Sequence, residues 1–227
     1  FHSISAYNNA GFSLWTNSLQ DYRNNWVVNF VLILLIILGG FGWRVTNDIW
    51  INRRSLKLRN LSLHTRLVIR SSLILISLGF LGLIFTESLA RGTFFSVIDF
   101  DDRILTALFT SVSARTAGFT NLPISIESVS DSGLLLIMCL MFIGASPGGT
   151  GGGIKTTTIA ALMAATRATL RGQNEIIIRN RQISDKVVLK AVGITVGSFL
   201  FVLIMALLLS LSNGLNSGEN FSFLEML

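Results

Sequence analysis

"IGASPGGTGGGIKTTT", residues 143–158, decides between two folds. Six glycines, a lysine and three threonines have the composition of a phosphate cradle, which would make the chain an α/β nucleotide-binding protein. A P-loop reads G-x-x-x-x-G-K-[ST], with the lysine directly after the last glycine, and joins a strand to a helix. Here Ile154 separates Gly153 from Lys155, so the register fails. The flanks fail too. "SGLLLIMCLMFIG" (residues 132–144) and "TTTIAALMAATRATL" (residues 156–170) are apolar, helix-like runs, and neither is a short β-branched strand. The glycines need another explanation.

Composition supplies the class. Of the 227 residues 51% are apolar and only 13% charged, with a mean hydropathy of +0.63. A soluble domain usually carries about twice that charge. Apolar runs approach the ~20 residues needed to cross a bilayer. They fall at residues 26–43, 67–86, 132–154 and 187–212. The reading is an all-α, polytopic membrane protein. The single cysteine, Cys139, lies within one of these runs, so no internal disulfide forms.

Charge orients the spans. Arg44, Arg53, Arg54, Lys57, Arg59, Arg66 and Arg70 follow the first run, and Arg167, Arg171, Arg179, Arg181, Lys186 and Lys190 follow the third. Glu87, Asp99, Asp101, Asp102 and Glu219 mark the other connections. The positive-inside rule puts the basic loops in the cytoplasm and the acidic ones outside. The net charge of +6 therefore reports topology, and no nucleic-acid partner is expected.

The chain also repeats itself. "FHSISAYNNAGF" (residues 1–12) matches "FTSVSARTAGF" (residues 109–119) with one gap, sharing F-x-S-[IV]-S-A and then A-G-F. Each copy is followed by a polar connection, an apolar span, a basic loop and another span. The run "RILTALFTSVS" before the second AGF is too short to cross. The repeating unit is a span, a short re-entrant helix, a glycine-bearing loop and a span. Non-helical backbone at membrane depth is tolerated only where protein or water covers it. Carbonyl oxygens exposed at such a turn can replace the hydration shell of a small cation. Gly11 and Gly118 permit positive φ and close backbone approach. A helix-capping glycine in an ordinary loop is the competing explanation for a single AGF; two copies in matching context favour a pore.

These motifs, with "GASPGGTGGGIKTTT", resemble the membrane subunit of the Trk/Ktr/HKT potassium transporters. The resemblance is closest to the bacterial KtrB branch, some of whose members carry the label of a sodium-ATPase subunit J (NtpJ), and it covers essentially the whole chain. Members of that family have four span–pore–span units around one ion path. The resemblance thus implies an incomplete pseudo-fourfold pore. Residues 1–66 would hold the pore loop and last span of the second unit with a cytoplasmic loop. Residues 67–186 would be the complete third unit, its last span interrupted, with another cytoplasmic loop. Residues 187–227 would supply the first span of the fourth unit and, at "FSFLEML", the start of its pore helix. Phe1 in place of a methionine and this last segment predict an internal piece of a longer protein.

The family's ion filter carries over to Asn8, Asn9, Ala10 and Gly11 in one loop and to Thr116, Ala117 and Gly118 in the other. Its intramembrane gate loop carries over to Ala145, Ser146, Pro147, Gly148, Gly149, Thr150, Gly151, Gly152, Gly153 and Lys155. Physics agrees, because such a run of glycines continues a helix only at a cost and Pro147 interrupts the backbone ladder. Close helix packing through G-x-x-x-G (Gly144/Gly148, Gly149/Gly153) stays open as the alternative. Arg115 is expected to buttress the second pore loop by pairing with a carboxylate behind it, rather than to touch an ion. Lys155 either snorkels to the cytoplasmic interface or adds a positive barrier below the filter.

The implied function is uptake of K⁺, with Na⁺ left open as a transported ion, across the plasma (inner) membrane. K⁺ at the filter is the only metal expected, no cofactor is expected in this chain, and membrane lipid surrounds it. The implied assembly is a homodimer on a cytoplasmic, KtrA-like ring of nucleotide-binding regulatory subunits. A Na⁺-coupled secondary transporter with an occluded midplane site built from broken helices is the alternative. His2 and His64 have no metal-ligand companions at useful spacing, and no nucleophile–base constellation is present, so an enzyme is not expected.

Overall fold

The computed structural model describes residues 1–53, 60–90, 92–123, 128–173, 175–178 and 181–215. The chain forms two compact units, Phe1–Thr157 and Thr158–Leu227, each described by itself. Arg54, Lys57, Arg59, Arg179, the "FSFLEML" segment and the acidic Glu219 lie outside the described residues.

Unit one is helical. A short helix α1 (His2–Tyr7) leads into the first AGF loop. Helix α2 (Trp26–Phe41) starts where the Asn25 side chain accepts the Val28 amide, and it stops at Gly42 with φ +83°. The chain then turns by 98° into α3 (Trp43–Ile51). Helix α4 (Leu63–Leu89), capped by the Ser62 hydroxyl on the Thr65 amide, has 27 residues. At 1.5 Å per residue that is about 40 Å, ample for a bilayer. A single turn α5 (Phe94–Val97) precedes helix α6 (Phe100–Ser113), whose first turn carries Asp101 and Asp102. These carboxylates complement the positive end of the helix dipole. Helix α7 (Asp131–Phe142) is capped by Ser130 on the Gly133 amide.

The unit is organised around α6, which packs on α2, α4 and α7. Its Phe109 and Val112 join Ala6, Leu32, Ile33, Ile36 and Phe119 in one apolar cluster. Its Ala107 joins Leu83, Leu122, Leu134 and Ile137 in another. Meanwhile Leu73, Ile74, Leu81 and Phe85 of α4 are exposed. Large apolar side chains facing outward along a 27-residue helix are what a hydrocarbon environment requires.

The second unit carries α8 (Thr156–Leu170) from Thr158 onward, a two-residue antiparallel ladder of β1 (Ile177–Ile178) with β2 (Arg181–Gln182), and α9 (Asp185–Leu215). Among the described residues the chain is all-α apart from this ladder. Helices α4 and α9 are long and apolar enough to span a membrane, and the bent pair α2–α3 passes the same test taken together. The third expected span, residues 132–154, is not one helix: α7 ends at Phe142 and residues 143–155 are irregular. Twelve residues reach only about 18 Å. The first run ends earlier than its apolarity suggests, at Phe41, and α3 occupies the start of what reads as a basic loop.

Candidate functional site: paired glycine loops above an interrupted helix

The repeat in sequence is a repeat in space. Ser5 Oγ donates to the Phe12 carbonyl, and its counterpart Ser113 Oγ donates to the Phe119 carbonyl. The Ala10 amide donates to the Ser5 carbonyl at 2.9 Å, and the Ala117 amide to the Ser113 carbonyl at 2.9 Å. Each loop has positive φ at two matching positions, Asn9 (+50°) with Gly11 (+72°) and Thr116 (+74°) with Gly118 (+82°). The two loops meet backbone to backbone. A Cβ on Gly11 would lie 2.7 Å from the Ala117 carbonyl oxygen and 2.8 Å from Gly118 Cα, so no side chain fits.

Positive φ turns the peptides away from the helical direction, which leaves their oxygens unclaimed. Among the described residues, none of the carbonyls of residues 8–11 or 116–118 accepts a hydrogen bond. Such oxygens need a partner, and water or a cation can supply it. Phe119 is buried, whereas Phe12 is 70% exposed, so only the second phenylalanine wedges its loop within this unit.

Two asparagines hold the loops in place. Asn29 Nδ2 donates to the carbonyls of Tyr22 (2.8 Å) and Asn25 (2.9 Å), and Asn29 Oδ1 accepts from Asn121 Nδ2 at 3.2 Å. Nearby, the Leu19 amide donates to the Thr120 carbonyl, and the Thr120 amide donates to Ser18 Oγ. These contacts bind the segment after the first AGF to the segment after the second. The sequence reading missed both asparagines; the available signal was a lone amide inside an apolar span.

Beneath the loops lies the glycine-rich segment 143–155, which is a folded loop and not a packed helix face. The Gly144 amide donates to the Ile154 carbonyl, the Ala145 amide to Gly152 and the Ile154 amide to Phe142, closing its base. Its outer part caps α2: the Ser146 amide donates to the Gly40 carbonyl and the Thr150 amide to Gly39, each at 3.1 Å. The last carbonyls of a helix have no partner within it, and here the loop provides them. Density of glycine follows from contact. A Cβ on Gly144 would overlap the Gly152 carbonyl, and one on Gly149 would come within 2.5 Å of the Gly40 carbonyl. The buried hydroxyls of Ser146 and Thr156 pair at 2.9 Å. Between Asn9 and Ala145 remains a pocket of about 20 Å³, also lined by Gly40, Ser72 and Arg115. That is room for about one water.

Of two charged residues, one differs from expectation and the other is held inside the loop. Among the described residues, Arg115 meets no carboxylate: its Nη2 makes long contacts to Ser72 Oγ (3.4 Å) and the Gly144 carbonyl (3.5 Å). Neutral oxygens of α4 and of the glycine segment replace the expected counter-ion. Lys155 does not extend away from the loop; its Nζ turns back to donate to the Gly151 carbonyl at 2.8 Å.

All 227 residues match the family model TrkH, described as cation transport protein. The chain belongs to this family. Ktr system potassium uptake protein B of Bacillus subtilis (strain 168) is 37% identical to it over 202 residues, 89% of this chain and 44% of that protein. The potassium/sodium uptake protein NtpJ of Enterococcus hirae is 34% identical over 195 residues, 84% of this chain and 41% of that protein. The crystal structure of the potassium transporter TrkH from Vibrio parahaemolyticus superposes with a TM-score of 0.71 at 20% identity. That match covers 98% of this chain and 46% of the other, and it shows the same fold. This TrkH-family chain therefore spans under half the length of the relatives it matches. Membership places it among membrane transport proteins rather than enzymes.

Proposed function

We propose that the chain forms part of a K⁺ uptake path in the plasma membrane. In this reading the carbonyls of residues 8–11 and 116–118 contribute to the filter, and residues 145–155 form the gate below it. The observation that carries the reading is the pair of matched loops, touching at Gly11 and Gly118, whose carbonyl oxygens are left unclaimed. The names of the relatives, potassium uptake in one and potassium/sodium uptake in the other, support a monovalent cation, with K⁺ the first choice and Na⁺ a second cargo. Residues 1–66, 67–186 and 187–227 are read as parts of the second, third and fourth units of a four-unit pore. The basic connections after α2 and α8 face the cytoplasm. There a dimer of the full-length protein sits on a ring of nucleotide-binding regulatory subunits.

In this reading Arg115 and Lys155 are positioning groups. Arg115 links the second filter loop to Gly144, directly before the gate. Lys155 braces the gate through Gly151 and sets a positive charge below the filter, where it opposes cation passage.

The test is substitution of the two filter glycines in the full-length protein. Serine at either position meets both positive φ and the facing backbone. Gly11→Ser and Gly118→Ser are each expected to lower uptake severalfold at limiting K⁺, with folded protein still recovered. Unchanged uptake in both variants contradicts the filter assignment.

A further inference from the structure

Thr150 is where the glycine segment grips a filter loop with a side chain. Its hydroxyl donates to the Tyr7 carbonyl at 3.0 Å and accepts from Asn9 Nδ2 at 2.8 Å. Its amide donates to the Gly39 carbonyl at the end of α2. Asn9 Nδ2 also reaches the Ile36 carbonyl at 3.4 Å. A Cβ on Gly39 would overlap the Tyr7 carbonyl, so the end of α2, the first filter loop and the glycine segment converge at backbone contact. One residue further on, a Cβ on Gly151 would overlap Thr116 Oγ1 of the second loop. Thr116 Oγ1 is itself buried without a hydrogen-bond partner.

The residues gripped in this way are the two non-glycine filter positions with positive φ, Asn9 at +50° and Thr116 at +74°. Side-chain-bearing residues adopt that conformation less readily than glycine, threonine less readily than asparagine, so contacts that favour it matter. Thr150 secures Asn9 in it by hydrogen bonding, and at Thr116 the absence of a Gly151 side chain leaves room for Oγ1.

We propose that the Thr150 hydroxyl couples gate to filter, so that withdrawing the glycine segment also releases Asn9 and loosens the hold of the first filter loop on its ion. The proposal rests on the filter-and-gate reading and adds a residue and a consequence to it. An ion bound tightly behind a shut gate becomes an ion bound weakly when the gate opens. Conduction requires such weakening, because a site must release what it captures.

The test uses full-length protein in reconstituted vesicles, measuring K⁺ flux per folded protein and the K⁺ concentration for half-saturation. Thr150→Val keeps the shape and removes both hydrogen bonds. It is expected to raise flux without the regulatory partner and to raise the half-saturating concentration severalfold, and Thr150→Ser, which keeps the hydroxyl, to shift both less. Thr150→Ala serves the same purpose if the valine variant does not fold. A rise in flux at unchanged half-saturation overturns the coupling, as does a change in half-saturation alone or no change in either. Two controls separate this failure from failure of the underlying reading. Deletion of residues 148–153 without any gain in flux removes the gate, and unchanged half-saturation in Gly118→Ser removes the filter.

Discussion

Asn29 is a lone amide among the apolar side chains of α2, and it is 1% exposed. Its side chain serves three backbone carbonyls and one further amide, Asn121. Hydrogen bonds in such a low-dielectric setting are strong, and their unpaired remnants are costly. Asn29→Leu strands the buried Asn121 amide, at roughly 1–3 kcal/mol, and also withdraws one donor from each of the Tyr22, Arg23 and Asn25 carbonyls. Asn121→Leu strands only Asn29 Oδ1 and removes an Asn121 Oδ1 that is already buried without a partner. Thermal unfolding in detergent is therefore expected to show a clearly larger loss for Asn29→Leu than for Asn121→Leu. The reverse order contradicts the assignment of Asn29 as the hub. None of this is written locally in the sequence, since the two asparagines are 92 positions apart. The same distance problem hid the partners of Arg115. Its charge is legible, but the choice between a carboxylate and the oxygens of Ser72 and Gly144 depends on which segments the fold brings together.

At the scale of elements, the segment 143–155 joins α7 to α8 and at the same time finishes α2. Its glycines read correctly as a loop, because their density and Pro147 oppose a helix. What the sequence could not show is how firmly the loop is held. Its amides donate to Gly39 and Gly40, its Gly148 carbonyl accepts the Trp43 amide, and its base closes on itself. On the proposed reading the gate is a folded plug, and opening it would exchange a defined set of hydrogen bonds. Deleting residues 148–153 removes the plug and uncovers the end of α2. Flux per folded protein is expected to rise and to lose its dependence on the regulatory partner, while thermal stability falls. A deletion that folds and conducts no faster than the parent contradicts the gate. Helix α3 was illegible for a related reason. The 98° turn before it is set by Gly42, where a Cβ would lie 2.6 Å from the Gly148 carbonyl carbon. The apolar run of α2 continues through Gly42 to Trp43, and its local break signal, Gly39, Gly40 and Gly42, does not give the angle of the turn or the helix after it.

Across the first unit, the two repeats share a serine-to-carbonyl hydrogen bond, an alanine amide bond and paired positive-φ positions. This correspondence was visible in the sequence because F-x-S-[IV]-S-A and A-G-F keep their spacing: the second serine, the alanine and the glycine act alike in both copies, whereas Phe1 and Phe12 are exposed where Phe109 and Phe119 are buried. The central claim is that these loops hold a cation through main-chain oxygens. Crystals of the full-length protein grown in Rb⁺, which scatters anomalously and stands in for K⁺, test it directly. The account predicts an anomalous peak within coordinating distance of the carbonyls of residues 10–11 and 117–118. A peak at an enclosed midplane site away from these loops, with the loops empty, would contradict it.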